Sequence, residues 1–582
     1  MKILLIAMNA KYIHSNLAVY SLRAFADKYA DNIKIVELTI NHSEEDILKV
    51  IAKEKADVAA FSCYIWNIDI VKRITSNLRK IQKQLKIWYG GPEVSYDINS
   101  CLRENHFLDG IMIGEGEETF LEIVSYYVKG TGELNHIKGI AYKPSALLSN
   151  QTCTDIIITP ARELIELDCI PFPYQKMEYF QNRIIYYESS RGCPFSCSYC
   201  LSSIDKKVRL RSIDLVKKEL LLFIEHRIPQ VKFVDRTFNC NKNHAMEIWR
   251  FIKENDNGIT NFHFEISADI LSEEELKLLA ELRPGQVQLE IGVQSTNPET
   301  ISAVRRRMDF AKLSRNVSRL KEAGNIHQHL DLIAGLPLED YQSFRKSFGE
   351  VYALKPEQLQ LGFLKVLKGS LMELESSKYG ITYLDTPPYE VLFTSYLSYE
   401  ELIHIKGICK MVEMYYNSLQ FTYSIGYLEH FYDMPMDMYS SLNDYYESKG
   451  YDMLAHSRLK RYEILLGFFT EIVLTLTPQD YKKDEIQLFK EILTFDLLLR
   501  EGMRQRPAFA PQKLAQGKLR ELYASYQKDS RLMHIEAFSY DIIASSQAGR
   551  AIRKNSIVLF DYSERDPLSG AAKHAIISQD CS

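Results

Sequence analysis

Ser189-Ser190-Arg191-Gly192-Cys193-Pro194-Phe195-Ser196-Cys197-Ser198-Tyr199-Cys200 is the stretch on which the reading turns. It sets three cysteines in C-x3-C-x2-C spacing directly after an apolar run, Ile184–Glu188, that reads as a strand. Thiolates are soft ligands suited to iron–sulfur clusters or zinc. Three of them on one tight loop can hold three corners of a cubane cluster; an ordinary cluster takes a fourth cysteine, and its absence leaves one iron open. Zinc is the alternative. Structural zinc sites commonly bring four ligands as two spaced pairs. No second pair lies nearby; Cys240 stands alone with His244 close by, and a Cys3His zinc site drawn from these residues is the alternative.

Outward from the cysteines, strands and helices alternate. Helix Ile213–His226 precedes strand Val231–Val234, and Asn243–Lys253 precedes Phe262–Ile266. Glu273–Glu281, Ala311–Ala323 and Tyr341–Ala353 precede Val287–Ile291, His327–Ile333 and Leu359–Phe363. With the strand before the cysteines this makes six strands, each joined to the next through a helix, which predicts a partial (β/α)6 barrel over residues 183–370. Chemistry in such a barrel sits at the carboxyl-end loops. The strand ends carry Asp235, Glu265 and the Gly292-Val293-Gln294-Ser295 turn; Asp331 lies in the fifth strand. A carboxylate can accept both hydroxyl protons of a ribose, and Gln or Ser can bond a carboxylate or an adenine edge. Asp, Ser and Asn also serve as helix caps and turns.

Residues 1–145 show a second alternation, with strands Lys2–Ala7, Ile33–Thr39, Val58–Ser62, Ile87–Tyr89 and Gly110–Ile113 and helices between them. That pattern predicts a Rossmann-like parallel sheet with helices on both faces, binding a ligand beyond its strand ends. The loops there hold Tyr12 and His14, Ser62, Gly90-Gly91-Pro92-Glu93 and Gly114-Glu115-Gly116. Residues 146–182 read as a linker, because Ser145–Thr154 is polar and Pro171 and Pro173 cannot continue a helix.

The cysteine spacing, with Tyr199 just before the last cysteine, resembles the radical S-adenosylmethionine (SAM) superfamily motif. The N-terminal loops resemble the cobalamin-binding domain that one class of those enzymes carries. The resemblance covers residues 1–370. It implies a four-iron, four-sulfur cluster on Cys193, Cys197 and Cys200 whose open iron chelates SAM. Reductive cleavage of SAM would give a 5′-deoxyadenosyl radical that takes hydrogen from an unreactive carbon. Tyr199, Asp235, Glu265, Gln294 and Ser295 would contact SAM. Tyr12, His14, Ser62, Gly90, Gly91, Pro92, Glu93, Gly114, Glu115 and Gly116 would line cobalamin. The loop Ala10–Asn16 departs from the D-x-H-x-x-G pattern of many cobalamin domains, lacking both its Asp and its Gly. The resemblance implies methyl transfer through cobalamin, although some members run other radical steps. It also implies an electron donor such as flavodoxin or ferredoxin. A radical SAM enzyme whose N-terminal domain does not use cobalamin, and a non-catalytic zinc module, are the alternatives.

Beyond residue 370 the alternation gives way to long amphipathic helices, Ser398–Asn417, Asp452–Leu474 and Glu485–Glu501, with dense tyrosines. Two strands follow, His534–Tyr540 and Ser556–Asp561, and a polar, fraying end from Ser563. Residues 371–582 thus read as a mainly helical domain with a short strand pair.

Composition sets limits. The chain has 582 residues, 46% hydrophobic and 25% charged, which is globular usage. Ten cysteines are too sparse for a disulfide-stapled secreted scaffold. A net charge of −5 and the lack of a second cysteine set disfavour nucleic acid and point to a small-molecule or peptide substrate. No apolar run reaches the roughly 18 residues a membrane span needs. The apolar stretch Ile3–Met8 is too short for a signal-peptide core, so the expected setting is a reducing cytoplasm.

Overall fold

The computed structural model describes residues 1–144, 156–476, 482–503, 505–512, 514–526 and 529–578. The polar start of the expected linker, Ser145–Thr154, lies outside the described residues.

The first sheet holds β1 (Ile3–Asn9), β2 (Ile33–Thr39), β3 (Val58–Ser62), β4 (Lys86–Gly90), β5 (Gly110–Met112), β6 (Ile140–Tyr142) and β7 (Ile157–Ile158), in the order β2-β1-β3-β4-β5-β6-β7. The first five are parallel, and β6 and β7 add antiparallel to the edge. Successive side chains of β1 enter opposite cores: Leu4, Ile6 and Met8 one, Ile3, Leu5 and Ala7 the other. That is the consequence of a period-two strand covered on both faces. The chain order reverses between β1 and β3, the switch point outside which such sheets bind ligands. Sequence reasoning ended this sheet at the fifth strand; the pairing of β6 with β7 carries it to Ile158.

Six more strands, β8 (Ile184–Tyr187), β11 (Gln230–Phe233), β12 (Asn261–Ile266), β13 (Val287–Gln294), β14 (His327–Ala334) and β15 (Gln358–Phe363), form one sheet in the order β15-β14-β13-β12-β11-β8. Neighbours in space follow chain order, as the partial barrel requires, and β8, β11 and β12 are parallel. Between β8 and β11 the short pair β9 (Ser190–Arg191) and β10 (Arg209–Leu210) runs antiparallel and brackets the cysteine loop. Ser272 and Glu275 close a capping box on helix Glu273–Ala280.

The chain divides into two compact units. One comprises Met1–Glu290, Ile301–Asn316 and Phe363–Ser395; the other comprises Ile291–Thr300, Val317–Gly362 and Tyr396–Ser582. The second unit contains the helices Tyr399–Met411, Pro435–Ser448, Arg458–Glu471 and Lys482–Leu498. It also contains a sheet of three antiparallel strands, Met533–Tyr540, Arg553–Arg565 and Ala572–Ser578. The polar end expected to fray after Ser563 therefore continues the middle strand and returns as a third. No helix among the described residues is long and apolar enough to cross a membrane.

Candidate functional site

The cysteine loop leaves β8 at a buried clamp. Asp235, just past β11, is 1% exposed and accepts from Ser189 N–H at 3.0 Å, Ser189 Oγ–H at 2.6 Å and Ser190 Oγ–H at 2.6 Å. His244 Nε2 lies 3.1 Å from Ser189 Oγ. Both Asp235 oxygens are thus committed to the loop, and the SAM-contact reading gives way to one of holding the cysteines. His244 serves the same clamp instead of completing a metal site. At Gly192 the chain turns with φ 91°; a Cβ there would meet Lys207 O at 2.4 Å, so only glycine fits.

Cys193 and Cys197 are buried and Cys200 is half-buried. Thr237 Oγ1 lies 3.7 Å from Cys193 Sγ, and Arg306 Nη1 donates to Cys197 Sγ at 3.8 Å. The loop rests on two backbone contacts: Ser198 N–H donates to Val304 O, and Met372 N–H to Ser198 O. Among the described residues no three His, Cys, Asp or Glu side chains converge as ligands of one ion. Three thiols on one rigid loop beside a cation fit a larger, anionic cluster better than a single zinc. Burial raises the Tyr199 phenol far above its ordinary pKa, while Arg306 pulls the other way.

The N-terminal strand ends meet this loop through ion pairs. Arg191 reaches Glu117 at 2.5 Å and Glu188 at 2.8 Å, with Glu115 at 3.5 Å. Arg209 binds Glu115 at 2.6 Å and Asp205 at 3.0 Å. Glu115, expected to line cobalamin, instead ties the loop after β5 to β10. Arg209 and Arg306 were not singled out by sequence reasoning, and Arg191 and Glu117 stood in motifs without a role, because their partners lie far off in the chain.

His14 forms a bridge to Ile184 of β8, and its Nδ1 lies 2.8 Å from Tyr186 Oη. Burial lowers its pKa, so it stays neutral near pH 7. Tyr12 is 66% exposed and lies under the Arg183 guanidinium. Ser62 Oγ receives Asn16 Nδ2 at 3.4 Å. Gly91 has φ 119°, and a Cβ would meet Cys63 O at 2.5 Å, so this glycine serves the close approach of its own neighbouring loop. Gly90 packs on Met112, Gly116 on Leu22, and Pro92 is exposed. Gly114 differs: φ is 74° and nothing lies within 4 Å of a Cβ built there. That leaves room for a ligand beside this strand end, as at the solvent-facing glycines Gly130 and Gly258. Glu93 accepts from the Tyr389 hydroxyl, and burial raises its carboxyl pKa.

Inside the six-stranded sheet, one face of β8, β11, β12 and β13 is polar. Lys232 pairs in register with Tyr186 and His263. Glu290 Oε2 takes Lys232 Nζ at 3.0 Å and His263 Nε2 at 2.9 Å. Burial opposes ionisation, but these two partners hold the Glu290 carboxyl at about 2. Glu265 lies on the same face, near enough to help keep Lys232 protonated.

In the second unit, Ser295 is fully buried and donates to Glu339 Oε1 at 2.6 Å; Ser347 does so at 3.1 Å. Ser295 therefore anchors its own turn. Gln294 adopts φ 73°, and its buried Oε1 has no partner among the described residues, as an acceptor awaiting a ligand's donor would.

Three family models match the chain: B12 binding domain over residues 3–124, Radical SAM superfamily over 187–351, and Protein of unknown function (DUF4080) over 377–560. The chain is similar to the uncharacterized methyltransferase PH0819 of Pyrococcus horikoshii, 29% identical over 53% of this chain and 67% of the relative. It is also similar to the cobalamin-dependent radical SAM methyltransferase TokK of Streptomyces tokunonensis, 23% identical over 51% of this chain and 44% of the relative. The alignments thus span about half to two thirds of these relatives. Two solved structures share the fold. The radical SAM methyltransferase TsrM from Kitasatospora setae, with tryptophan and a SAM analogue bound, has TM-score 0.54 and 16% identity, covering 67% of this chain and 80% of its own. The cobalamin-dependent enzyme OxsB, with aqua-cobalamin and SAM bound, has TM-score 0.55 and 15% identity, covering 86% and 76%. The chain thus carries a region that matches the B12 binding domain followed by one that matches the Radical SAM superfamily.

Proposed function

We propose that this protein is a cobalamin-dependent radical SAM methyltransferase acting on a small-molecule or peptide substrate in the cytoplasm, with a flavodoxin- or ferredoxin-type electron donor. The observation that carries the reading is the three-thiol loop tied by the Arg191–Glu117 and Arg209–Glu115 ion pairs to the loop after β5. Cys193, Cys197 and Cys200 would hold a four-iron cluster. Tyr199 and Glu265 would contact SAM, while Asp235 sets the backbone of the cysteine loop around it. Gly114 and its neighbours Gly116, Gly90 and Ser62 would receive cobalamin. The cofactors supply a carbon-centred radical and a transferable methyl group; the chain's own residues bind, orient and exclude water. Tyr186, Lys232, His263 and Glu290 would present hydrogen bonds to substrate from the polar sheet face.

The test is anaerobic protein supplied with hydroxocobalamin and incubated with methyl-labelled SAM, a reductant and candidate substrates. Label in a carbon-bound methyl group, with 5′-deoxyadenosine formed, is expected. Cluster and SAM cleavage without corrinoid would favour the cobalamin-free reading.

A further inference from the structure

We infer that Arg306 sets the reduction potential of the iron–sulfur cluster through its contact with the Cys197 sulfur. The inference rests on the cluster reading above. Three observations support it. First, the guanidinium donates directly to a thiol of the loop: Nη1 to Cys197 Sγ is 3.8 Å. Second, the backbone is built to aim it there. Arg305 adopts φ 55°, in the left-handed region that non-glycine residues seldom occupy, and this turns neighbouring side chains apart. Arg305 points out to Glu375 at 2.6 Å and is 53% exposed, whereas Arg306 points in. Third, the turn is pinned to the cysteine loop by Val304 O, which takes Ser198 N–H at 2.9 Å, and closed by Arg306 N–H on Ile301 O at 3.0 Å. The backbone that carries the guanidinium is thereby tied to the loop that carries the sulfur.

The physical consequence has a definite sign. Reduction adds one electron to a thiolate-ligated cluster and makes it more negative. A guanidinium is always charged, and a fixed cation stabilises the reduced form more than the oxidised one. Hydrogen bonds to the cluster sulfurs act in the same direction. Arg306 therefore raises the potential, which eases entry of the electron.

The experiment is a dithionite titration with mediators, run without SAM and repeated with it, following the electron paramagnetic resonance signal of the reduced cluster. It compares wild type, R306M, R306K and R305M. In R306M the midpoint is expected to fall, so that a poise leaving wild type half reduced leaves about a tenth of the variant reduced, a shift near 59 mV for a one-electron couple. R306K, which keeps the charge, is expected to recover most of it, and R305M to match wild type. A wild-type midpoint in R306M, or an equal fall in R305M, would overturn the inference. If R306M takes up no iron, R306Q, which is shorter but polar and uncharged and keeps an N–H donor, decides in the same way. Wild type lacking four irons would defeat the cluster reading itself. An effect of R306M seen only with SAM present would assign Arg306 to SAM and overturn the inference.

Discussion

Arg191 and Glu117 meet at 2.5 Å across 74 residues of sequence, one at the start of the cysteine loop, the other in the first turn of the helix after the fifth strand. Their side chains are 17% and 6% exposed. Removing one partner of a pair this buried leaves a charge uncompensated. R191M, which strands both Glu117 and Glu188, is expected to cost about 3 kcal/mol; E117Q is expected to cost less, because Arg191 keeps Glu188. The double variant should be more stable than the sum of the two losses implies. Urea unfolding of the four proteins measures this, and strict additivity would show that the pair does not couple.

Two glycines in neighbouring loops should behave differently. G91A pushes a Cβ within 2.5 Å of the Cys63 carbonyl at φ 119°, so the N-terminal sheet should lose about 2–4 kcal/mol. G114L meets open space and should cost about 1 kcal/mol for its positive φ. Yet it occupies the room assigned to the corrin, so corrinoid retention should drop at least about tenfold, by about 1.4 kcal/mol or more of binding. Desalting followed by absorbance reads retention. A G114L protein that keeps its corrinoid would place cobalamin elsewhere.

Glu339 gives a pH dependence. Burial holds its carboxyl up at about 7, against the pull of the Ser295 and Ser347 hydroxyls. An unfolded glutamate loses its proton near about 4.3. Between those values the folded chain keeps a proton that the unfolded chain has lost. Stability from this group is therefore full below the window and declines as pH rises through it, by at most about 4 kcal/mol. E339Q should flatten that slope. Urea midpoints of both proteins at about pH 5 and about pH 7.5 test it; parallel pH profiles would show that Glu339 is ionised throughout.

Much of this was legible in the amino-acid order. Strands β2 and β3 begin and end at their expected bounds, and the barrel strands fall within three residues of theirs. A strand buried between helix layers writes itself as an unbroken apolar run. Short edge strands do not: β6 and β7 have three and two residues, too few to show a period. The last strand, Ala572–Ser578, buries only Ala572 and leaves Lys573, Ala575 and Ile576 exposed, so no apolar run or period marks it. Site residues divide similarly. Cysteine spacing is chemistry written locally. The role of Asp235 is not, because a strand-end carboxylate looks the same whether it awaits a ribose or clamps two serines 45 and 46 residues away. Glu115 looked like a ligand contact until Arg209, 94 residues on, arrived beside it.

The most direct measurement is an absorbance spectrum with iron, sulfide and corrinoid counts on anaerobically prepared protein given hydroxocobalamin, alongside C193A. About four irons and four sulfides per chain, with a corrinoid band surviving desalting, and loss of the iron but not the corrinoid in C193A, is the predicted result. Zinc in place of iron, or an iron content unchanged in C193A, would contradict it.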